Sequence, residues 1–116
     1  MNLKKIIDGL NLNILTDHQD FSSIEVASGY CSDLLSCVMT GAGPSGVWVT
    51  LMAHSNIVAV AALLDLAAII ITEDAQPDQA TIQQANEKGV VMLSTPHPNF
   101  QISGMLWELG LREPQN

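Results

Sequence analysis

Nine polar residues that could bind a ligand follow three apolar segments, close to the point where each segment ends. The segments end at Leu51, Ile71 and Leu93, and each is typical of a buried parallel strand. In parallel α/β sheets, ligands bind beyond the carboxyl ends of the strands, which meet at one edge. The loop Tyr30–Asp33 can join this edge from a further strand. The predicted ligand-binding residues are His54, Ser55, Asn56, Thr72, Glu73, Asp74, Ser94, Thr95 and His97.

One chemistry available to this set is metal binding. His54, His97 and a carboxylate of Glu73 or Asp74 offer the ligand types that zinc and iron accept. No ligand spacing of a known metal motif accompanies them, and the alternative is that these residues cap helices and form turns. We therefore assign no metal ligand and predict no cofactor.

Covalent and acid–base catalysis have weaker support. Ser94 lies near His97 but has no orienting acid and no elbow glycines around it, and Cys31 has no base partner. Glu73 and Asp74 are adjacent, and adjacent side chains at a strand end diverge, which is poor geometry for shared proton transfer. The sequence therefore predicts no catalytic residue, and we expect a protein that is not an enzyme.

A glycine-rich segment, Gly41–Gly46, matches the pattern G-x-G-x-x-G. A dinucleotide-binding loop follows a strand and opens a helix, whereas this segment follows a predicted helix and leads into a strand. Pro44 also lacks the amide that a phosphate would use. We interpret the segment as a tight connection. The P-loop pattern that a P-loop kinase needs to hold its phosphates is absent from the sequence.

Charge excludes one class of partner. The 116 residues carry a net charge of −8 with four Lys and Arg in total, none of them between Lys5 and Lys88. A nucleic-acid site needs several cations to neutralise phosphates. The chain therefore has no basic face for nucleic acid.

The two cysteines and the apolar segments indicate the cellular compartment of the protein. Cys31 and Cys37 lack the spacing of a disulfide framework or of a zinc site and are expected to be thiols in a reducing cytosol. Residues 1–10 contain an acid and a glycine where a signal peptide is apolar. The segment Ile57–Ile71 includes Asp65 and is shorter than a membrane span. We predict a cytoplasmic protein with no membrane association.

Apolar periodicity, caps and breakers predict one α/β domain over residues 1–116. From Val47 onward helices and strands alternate, which favours a three-layer, mostly parallel sheet with helices on both faces. A frayed tail is predicted for Glu113–Asn116, and a loop for Thr16–Ser23. The predicted helices are Leu3–Leu10, Leu34–Met39 capped by Asp33, Asn56–Leu66 capped by Ser55 or Asn56, Pro77–Lys88 and Asn99–Leu109. The predicted strands are Leu12–Leu15, Ile24–Tyr30, Val47–Leu51, Ala67–Ile71 and Val90–Leu93.

The predicted helix Asn56–Leu66 is apolar around most of its circumference. Such a helix is buried, either within the sheet sandwich or at a subunit contact. Asp65, embedded in this apolar segment, either caps a neighbouring element, points outward at the helix end or forms a polar contact across a dimer. Because a dimer would cover apolar surface, we expect a homodimer.

The segment from Val47 to Phe100 resembles a DRTGG domain, and the resemblance begins at Ile24–Asp33. A specific feature is the Ser-Thr-Pro turn that closes Glu87–Pro96. The family is similar to the N-terminal domain of bacterial HPr kinase/phosphorylase and occurs fused to CBS domains or alone. The resemblance implies that fold and a regulatory role. Stand-alone members are found beside iron-hydrogenase and electron-transfer genes, which implies a partner in such a system.

The chain departs from the family pattern at its two named positions. The Asp-Arg position reads Met52–His54, and the Thr-Gly-Gly position reads Thr72–Asp74, so that only Thr72 remains. These replacements remove the cation and the open amide turn that an anion would use.

Together these observations predict a non-catalytic regulatory or interaction module. The expected partners are a second copy and a protein of a hydrogenase or electron-transfer system. One alternative is a small-ligand sensor for an adenine nucleotide, with His54, Thr72 and Thr95 near the ligand. A third is a metal-dependent enzyme built on the histidines and acids above.

Overall fold

The segments richest in β-branched residues lie side by side in one five-stranded sheet covered by helices on both faces. The structure is a computed structural model that describes residues 1–115. It confirms the predicted three-layer α/β fold. The elements are α1 (Leu3–Leu10), β1 (Asn13–Ile14), a 3-10 helix (Phe21–Ser23), β2 (Ser28–Cys31), α2 (Leu35–Gly41), β3 (Gly46–Thr50), α3 (Asn56–Leu63), β4 (Ala68–Ile71), α4 (Gln79–Lys88), β5 (Met92–Ser94) and α5 (Asn99–Leu109).

The strands lie in the order β1-β5-β4-β3-β2, with β2 to β5 parallel and β1 antiparallel at one edge. Each parallel crossover therefore steps to the neighbouring strand in the same direction. Because such crossovers are right-handed, α2, α3 and α4 all lie on one face of the sheet. α1 and α5 cover the other face.

Two apolar cores follow from this layering. β3 and β4 are buried along their whole length, and their side chains alternate between the two faces. On one face, the core under α1 and α5 includes Leu3, Ile6, Val47, Val49, Ile70, Ile102 and Leu106. On the other, the core under α2, α3 and α4 includes Val38, Trp48, Ile57, Ala61, Ile69, Ala85 and Met92.

The predicted second strand is too long at its amino end. Its first residues pair with the N-terminus: the Leu3 amide donates to the Ile24 carbonyl (2.8 Å), and Asn2 forms a β-bridge with Glu25. Only the later part of the predicted strand Ile24–Tyr30 joins the sheet, as β2. The predicted loop before it contains the 3-10 helix, which exists because buried Phe21 anchors that segment in the core.

The central helix differs from the prediction in length and in burial. It ends at Leu63, because Asp65 adopts a left-handed conformation (φ 55°) that terminates the helix. Asp65 is exposed at this end. One face of α3 is buried through Ile57, Val58 and Ala61, but Leu63 is 70% exposed. The helix is therefore not buried all round.

Further boundaries shift near the last two strands. α4 begins at Gln79 with Asp78 as its N-cap, so Pro77 precedes the helix and does not form its first turn. The last strand is Met92–Ser94, and Ser94 pairs with Asn13 of β1 within the sheet. The predicted strand Val90–Leu93 was thus placed two residues early at its start.

The glycine-rich segment is a tight helix-to-strand connection, as predicted. α2 ends at Gly41 and β3 begins at Gly46. Between them the Gly46 amide donates to the Gly43 carbonyl (3.1 Å), and Ser45 is left-handed (φ 59°). This turn donates its own amide internally and precedes a strand, unlike a phosphate-binding loop.

None of the helices described for residues 1–115 has both the length and the apolar character that a membrane crossing requires. Both cysteines are free thiols, Cys31 exposed and Cys37 half-buried. In the predicted tail Glu113–Asn116, the residues up to Gln115 form neither helix nor strand, and Asn116 lies outside the described residues.

Candidate functional site

A side-chain network joins the carboxyl ends of three strands. Asp33 lies two residues after β2, and its Oδ1 accepts hydrogen bonds from the Thr50 hydroxyl (2.8 Å) and from the Leu51 amide (2.9 Å). The Asn99 side-chain amide donates to Asp33 Oδ2 (3.1 Å). Asn99 Oδ1 in turn accepts from the hydroxyl of Thr72, which follows β4. We call Asp33, Thr50, Thr72 and Asn99 the strand-end network.

The position of Asn99 explains how one side chain reaches three strands. It is the first residue of α5, and α5 starts at the edge where β5 ends. Thr72 is fully buried, so Asn99 satisfies a hydroxyl that would otherwise lack a partner. The network therefore ties the start of α5 to the ends of β2, β3 and β4.

The predicted role of Asp33 as the cap of α2 is wrong. The N-cap residue of α2 is Leu34, which provides no side-chain hydrogen bond. Its amide donates instead to the Ser32 hydroxyl (3.1 Å). The carboxylate of Asp33 points across the sheet edge because three donors from β3 and α5 bind it there.

The turn Thr72–Asp74 has a backbone suited to glycine. Glu73 (φ 60°) and Asp74 (φ 58°) are both left-handed, a conformation that costs about 1–2 kcal/mol for a residue with a Cβ. Their amides donate to the carbonyls of His97 (3.0 Å) and Thr95 (3.1 Å). The turn thus has a backbone that glycine would adopt without strain, but its amides already bind the β5–α5 turn.

A second polar group lies on the α3 and α4 side of the sheet. His54 and Ser55 line a shallow cleft together with Asp78, Thr81 and Gln84. Ser55 is the N-cap residue of α3, one of the two predicted, but its side chain accepts no capping hydrogen bond. Instead, His54 Nδ1 accepts from the Asn56 amide (3.2 Å).

The charge in this cleft comes from Asp78. Hydrogen bonds from the Thr81 side chain and from its backbone amide (2.8 Å) hold the pKa of Asp78 below its usual value. His54 contributes a smaller electrostatic effect in the same direction. The carboxylate therefore stays ionised as the N-cap of α4.

The predicted ligand-binding residues therefore fall into two groups. Thr72, Glu73, Asp74, Thr95 and His97 surround the ends of β4 and β5. His54, Ser55 and Asn56 lie beside α3 and α4. The remaining residue, Ser94, is buried in the sheet.

The hypothetical metal site is not assembled in residues 1–115. That part of the chain brings together no group of three His, Cys, Asp or Glu side chains able to hold a metal ion. The two histidines and the acids after β4 are therefore not arranged as a ligand set.

Sequence reasoning missed Asp33, Thr50 and Asn99 as members of one network. A signal for Asn99 exists: α5 must begin where β5 ends, so a polar residue in its first turn lies at the carboxyl edge of the sheet. The partner of that residue cannot be read from the sequence, because Asp33 lies 66 positions away.

The winding of the sheet also affects ligand binding at this edge. A crevice forms in doubly wound sheets where the strand order reverses, and β2 to β5 run in one direction without a reversal. Asp33 Oδ1 already accepts two hydrogen bonds, which leaves it poorly placed as a general base. The strand-end network is therefore built to hold elements together more than to transfer protons.

A separate apolar cleft of about 130 Å³ lies between β2 and α5. Trp107 forms one side of it and is 52% exposed. The Arg112 guanidinium stacks 4.0 Å from the centre of the Trp107 ring and donates to the Trp107 carbonyl (2.9 Å). We call this space the α5 cleft; its lining includes Tyr30, Cys31, Val49, Ser103, Leu106, Trp107, Leu111 and Arg112.

Comparisons with known proteins agree with this architecture. The sequence profile of the DRTGG domain matches residues 35–109. A similar solved structure contains the CBS and DRTGG domains of the regulatory region of Clostridium perfringens pyrophosphatase, complexed with its activator diadenosine tetraphosphate. It superposes with a TM-score of 0.74 at 16% sequence identity, covering 90% of this chain and 45% of that one. This chain thus spans less than half of that regulatory region. No curated protein matches the sequence.

Proposed function

The chain belongs to the DRTGG domain family, and from this membership we propose that it is a non-catalytic regulatory module that acts through protein contacts as a homodimer. The observation that carries the proposal is apolar surface on a strongly acidic domain. Contiguous exposed apolar surface in a small protein marks interaction sites. The known family architecture adds support, because the similar clostridial region is itself regulatory.

Three of the exposed large apolar side chains lie near the strand-end network, and a fourth lies about two turns further along α5. Phe100 and Trp107 project from α5 and are 91% and 52% exposed. Leu34 and Leu51 are 60% and 44% exposed; Leu34 follows Asp33, and the Leu51 amide binds it. Exposed apolar side chains therefore adjoin the strand-end network on three sides: after β2, after β3 and on the first turn of α5.

The strand-end network couples the exposed surface of α5 to the ends of the strands. Asn99 contacts both Thr72 and Asp33, and Phe100 is the next residue on α5. A change at the strand ends would alter the hydrogen bonds that fix the first turn of α5. The exposed surface of that helix would then move with it.

Native mass spectrometry of the purified chain at micromolar concentration tests the homodimer. We expect a dimer without any added ligand. A spectrum that contains only monomer would overturn the homodimer, whereas a dimer that carries a stoichiometric co-purified molecule would favour the sensor considered below.

We propose further that the protein partner belongs to an iron-hydrogenase or electron-transfer system. The resemblance to stand-alone family members beside such genes supports this choice. Immobilised protein exposed to a purified iron hydrogenase should bind it with saturation in an interferometry assay. Equal signals from the protein and from a blank surface would reject this partner.

A second candidate function is an adenine-nucleotide sensor. It is favoured by the similar clostridial structure, which holds diadenosine tetraphosphate, and by the polar cleft of His54, Ser55 and Asp78. A ligand at 100 times its Kd adds about 2.7 kcal/mol of stability, which raises Tm by roughly 10 °C for a domain of this size. A panel of adenine nucleotides that leaves Tm unchanged would reject the sensor.

A further inference from the structure

A polar cleft of about 240 Å³ lies between the start of α3 and the first two turns of α4. Most of the residues that line it carry polar side chains, namely His54, Ser55, Asp78, Thr81 and Gln84. The others are alanines, which leave space for a flat group to lie against their methyl groups. The cleft is separate from the strand-end network, so its polar atoms are not used to hold the sheet edge together.

His54 offers the cleft a hydrogen-bond donor. Its Nδ1 accepts from the Asn56 amide (3.2 Å), and a ring nitrogen that accepts a hydrogen bond carries no proton. The neutral ring therefore has its proton on Nε2. That N–H remains available to a ligand.

Asp78 offers an acceptor and gives the cleft a negative charge. A carboxylate has about four acceptor positions, and Thr81 uses two of them through its amide (2.8 Å) and its side chain. Within residues 1–115, no Lys or Arg lines the cleft. The next cation along α4 is Lys88, which lies about 15 Å from Asp78 along the helix axis. The charge of Asp78 is therefore not neutralised locally.

The two helix N-termini beside the cleft do not reverse this charge. In α3, the amides of Asn56, Ile57 and Val58 donate to His54 Nδ1, to the His54 carbonyl and to the Ser55 carbonyl. In α4, the carboxylate of Asp78 already occupies the amino end. An anion at either helix would meet a satisfied turn or a carboxylate, and not the open N–H groups that bind phosphate.

Volume restricts the ligand further. Pockets that enclose drug-sized molecules measure about 300–1,000 Å³, and this cleft is smaller. It can hold one ring system with a small substituent. A ring with adjacent N–H and nitrogen acceptor groups matches the Asp78 carboxylate and the Nε2–H of His54. Adenine has such an edge, because its N6 amino group donates beside the acceptor N7.

We propose that the polar cleft binds the adenine and ribose of an adenosine ligand through Asp78 and His54, and that it repels the phosphate groups of that ligand. This inference rests on the sensor function proposed above and specifies which part of the ligand is recognised. The uncharged nucleoside is then the tightest ligand, and each added phosphate weakens binding.

The size of the phosphate effect follows from the charge on Asp78. Two negative charges about 10 Å apart in water repel enough to weaken binding about twofold. The phosphate of AMP carries almost two charges at neutral pH. AMP should therefore bind roughly fourfold more weakly than adenosine, and ATP more weakly still.

Isothermal titration calorimetry of the full chain with adenosine, AMP and ATP tests this order. The titrations are made without divalent metal, which would neutralise the phosphates, and at about 20 mM salt, where screening is weak. Raising the salt to about 300 mM should bring the three Kd values closer together.

Two variants test the assigned residues. Asp78→Asn keeps an equally good N-cap for α4 but removes the charge, so AMP and adenosine should bind with Kd values equal within about twofold. The matched control Asp74→Asn removes an exposed charge from the same loop outside the lining of the cleft and should keep most of the difference. His54→Asn retains an acceptor for the Asn56 amide and lacks the ring N–H, so the Kd of adenosine should rise about tenfold.

The outcomes separate this inference from the sensor. If adenosine, AMP and ATP all fail to bind at millimolar concentration, the sensor and this inference both fail. If ATP binds more tightly than adenosine, the sensor stands and recognition of the nucleoside is overturned. If adenosine binds and neither Asp78→Asn nor His54→Asn changes its Kd or the difference from AMP, the ligand lies elsewhere and the polar cleft is rejected.

Discussion

Replacing Asn99 by aspartate tests the strand-end network with almost no change of shape. The new carboxyl can still accept the hydrogen bond from Thr72, because Asn99 Oδ1 is the acceptor there. The nitrogen side of the group changes from a hydrogen-bond donor to a negatively charged oxygen. The amide that donates to Asp33 Oδ2 across 3.1 Å becomes a carboxylate oxygen facing a carboxylate.

The magnitude follows from that distance. Loss of a hydrogen bond to a charged group costs about 1.5–3 kcal/mol. Two unit charges 3.1 Å apart repel by about 1.3 kcal/mol at the dielectric constant of water, which is the appropriate limit because Asp33 is exposed. Negative charge at the first residue of α5 stabilises the helix by about 0.3–1 kcal/mol and offsets part of this loss. We therefore expect Asn99→Asp to lower the free energy of unfolding by about 2–4 kcal/mol at pH 7.

The deficit should depend on pH with a definite sign. A carboxylate beside the new carboxyl at position 99 raises the folded-state pKa of that new group above its unfolded value of about 3.9. The penalty is then complete above the raised pKa and disappears as the pH falls toward the unfolded value. Urea unfolding at pH 7 and pH 4 should show the difference from the unaltered protein shrinking to below about 1.5 kcal/mol.

The matched control is Gln101→Glu. It changes an amide to a carboxylate in the same first turn of α5, but Gln101 is exposed and makes no hydrogen bond to Asp33 among the described residues. Negative charge near a helix N-terminus is neutral or slightly stabilising. If Asn99→Asp unfolds at the same urea concentration as the control at both pH values, Asn99 does not tie α5 to Asp33 and the reasoning fails.

Four further outcomes are expected. Glu73→Gly should raise the free energy of unfolding by about 0.5–1 kcal/mol in urea titrations, because glycine relieves the left-handed backbone at φ 60° and its unfolded-state entropy offsets part of the gain; a loss of stability would contradict this. Trp48→Phe should cost about 1–3 kcal/mol in the same assay, since the buried indole N–H donates to the Ser32 carbonyl (2.9 Å) and its loss leaves that carbonyl unpaired. Asp78 has a lowered pKa because Thr81 donates hydrogen bonds to its carboxylate. The contribution of this carboxylate to the free energy of unfolding is therefore present above the unfolded pKa and is lost as the pH falls through the folded pKa. Compared with Asp78→Asn, the unaltered protein should lose stability below about pH 4 and should not lose it between about pH 6 and 8. The dimer Kd measured by sedimentation should fall as salt rises from 20 to about 300 mM, because each copy carries a net charge of −8 and salt screens their mutual repulsion; a dimer that salt dissociates would place ion pairs, and not apolar contacts, at its centre.

Much of the fold follows from local sequence patterns. The largely apolar β3 and the all-apolar β4 identified two buried parallel strands, because a strand covered on both faces carries apolar side chains on both. The spacing of Leu3, Ile6 and Leu10 gave α1, whose buried face is confirmed. Boundaries failed where tertiary contacts override the pattern, as for Ile24, which pairs with the N-terminus instead of extending β2.

The candidate site could be predicted only in part. The rule of strand ends located the correct edge of the sheet, and Thr72 does take part in the network there. The same rule could not separate His54 from that group, because the direction in which a loop leaves the sheet depends on the helix that follows it. His54 turns toward Asp78 of α4.

The sequence by itself determined most of the helices and strands and the acidic character of the chain, since composition and short-range periodicity set these. The tertiary structure alone decided that Asp33 meets Asn99 and that Phe100 remains in water while Ile102, two residues later, is buried. The physical reason is that both outcomes depend on strand order and on the path of α5 across the sheet. Those are set by contacts between residues far apart in the chain, which no local pattern encodes.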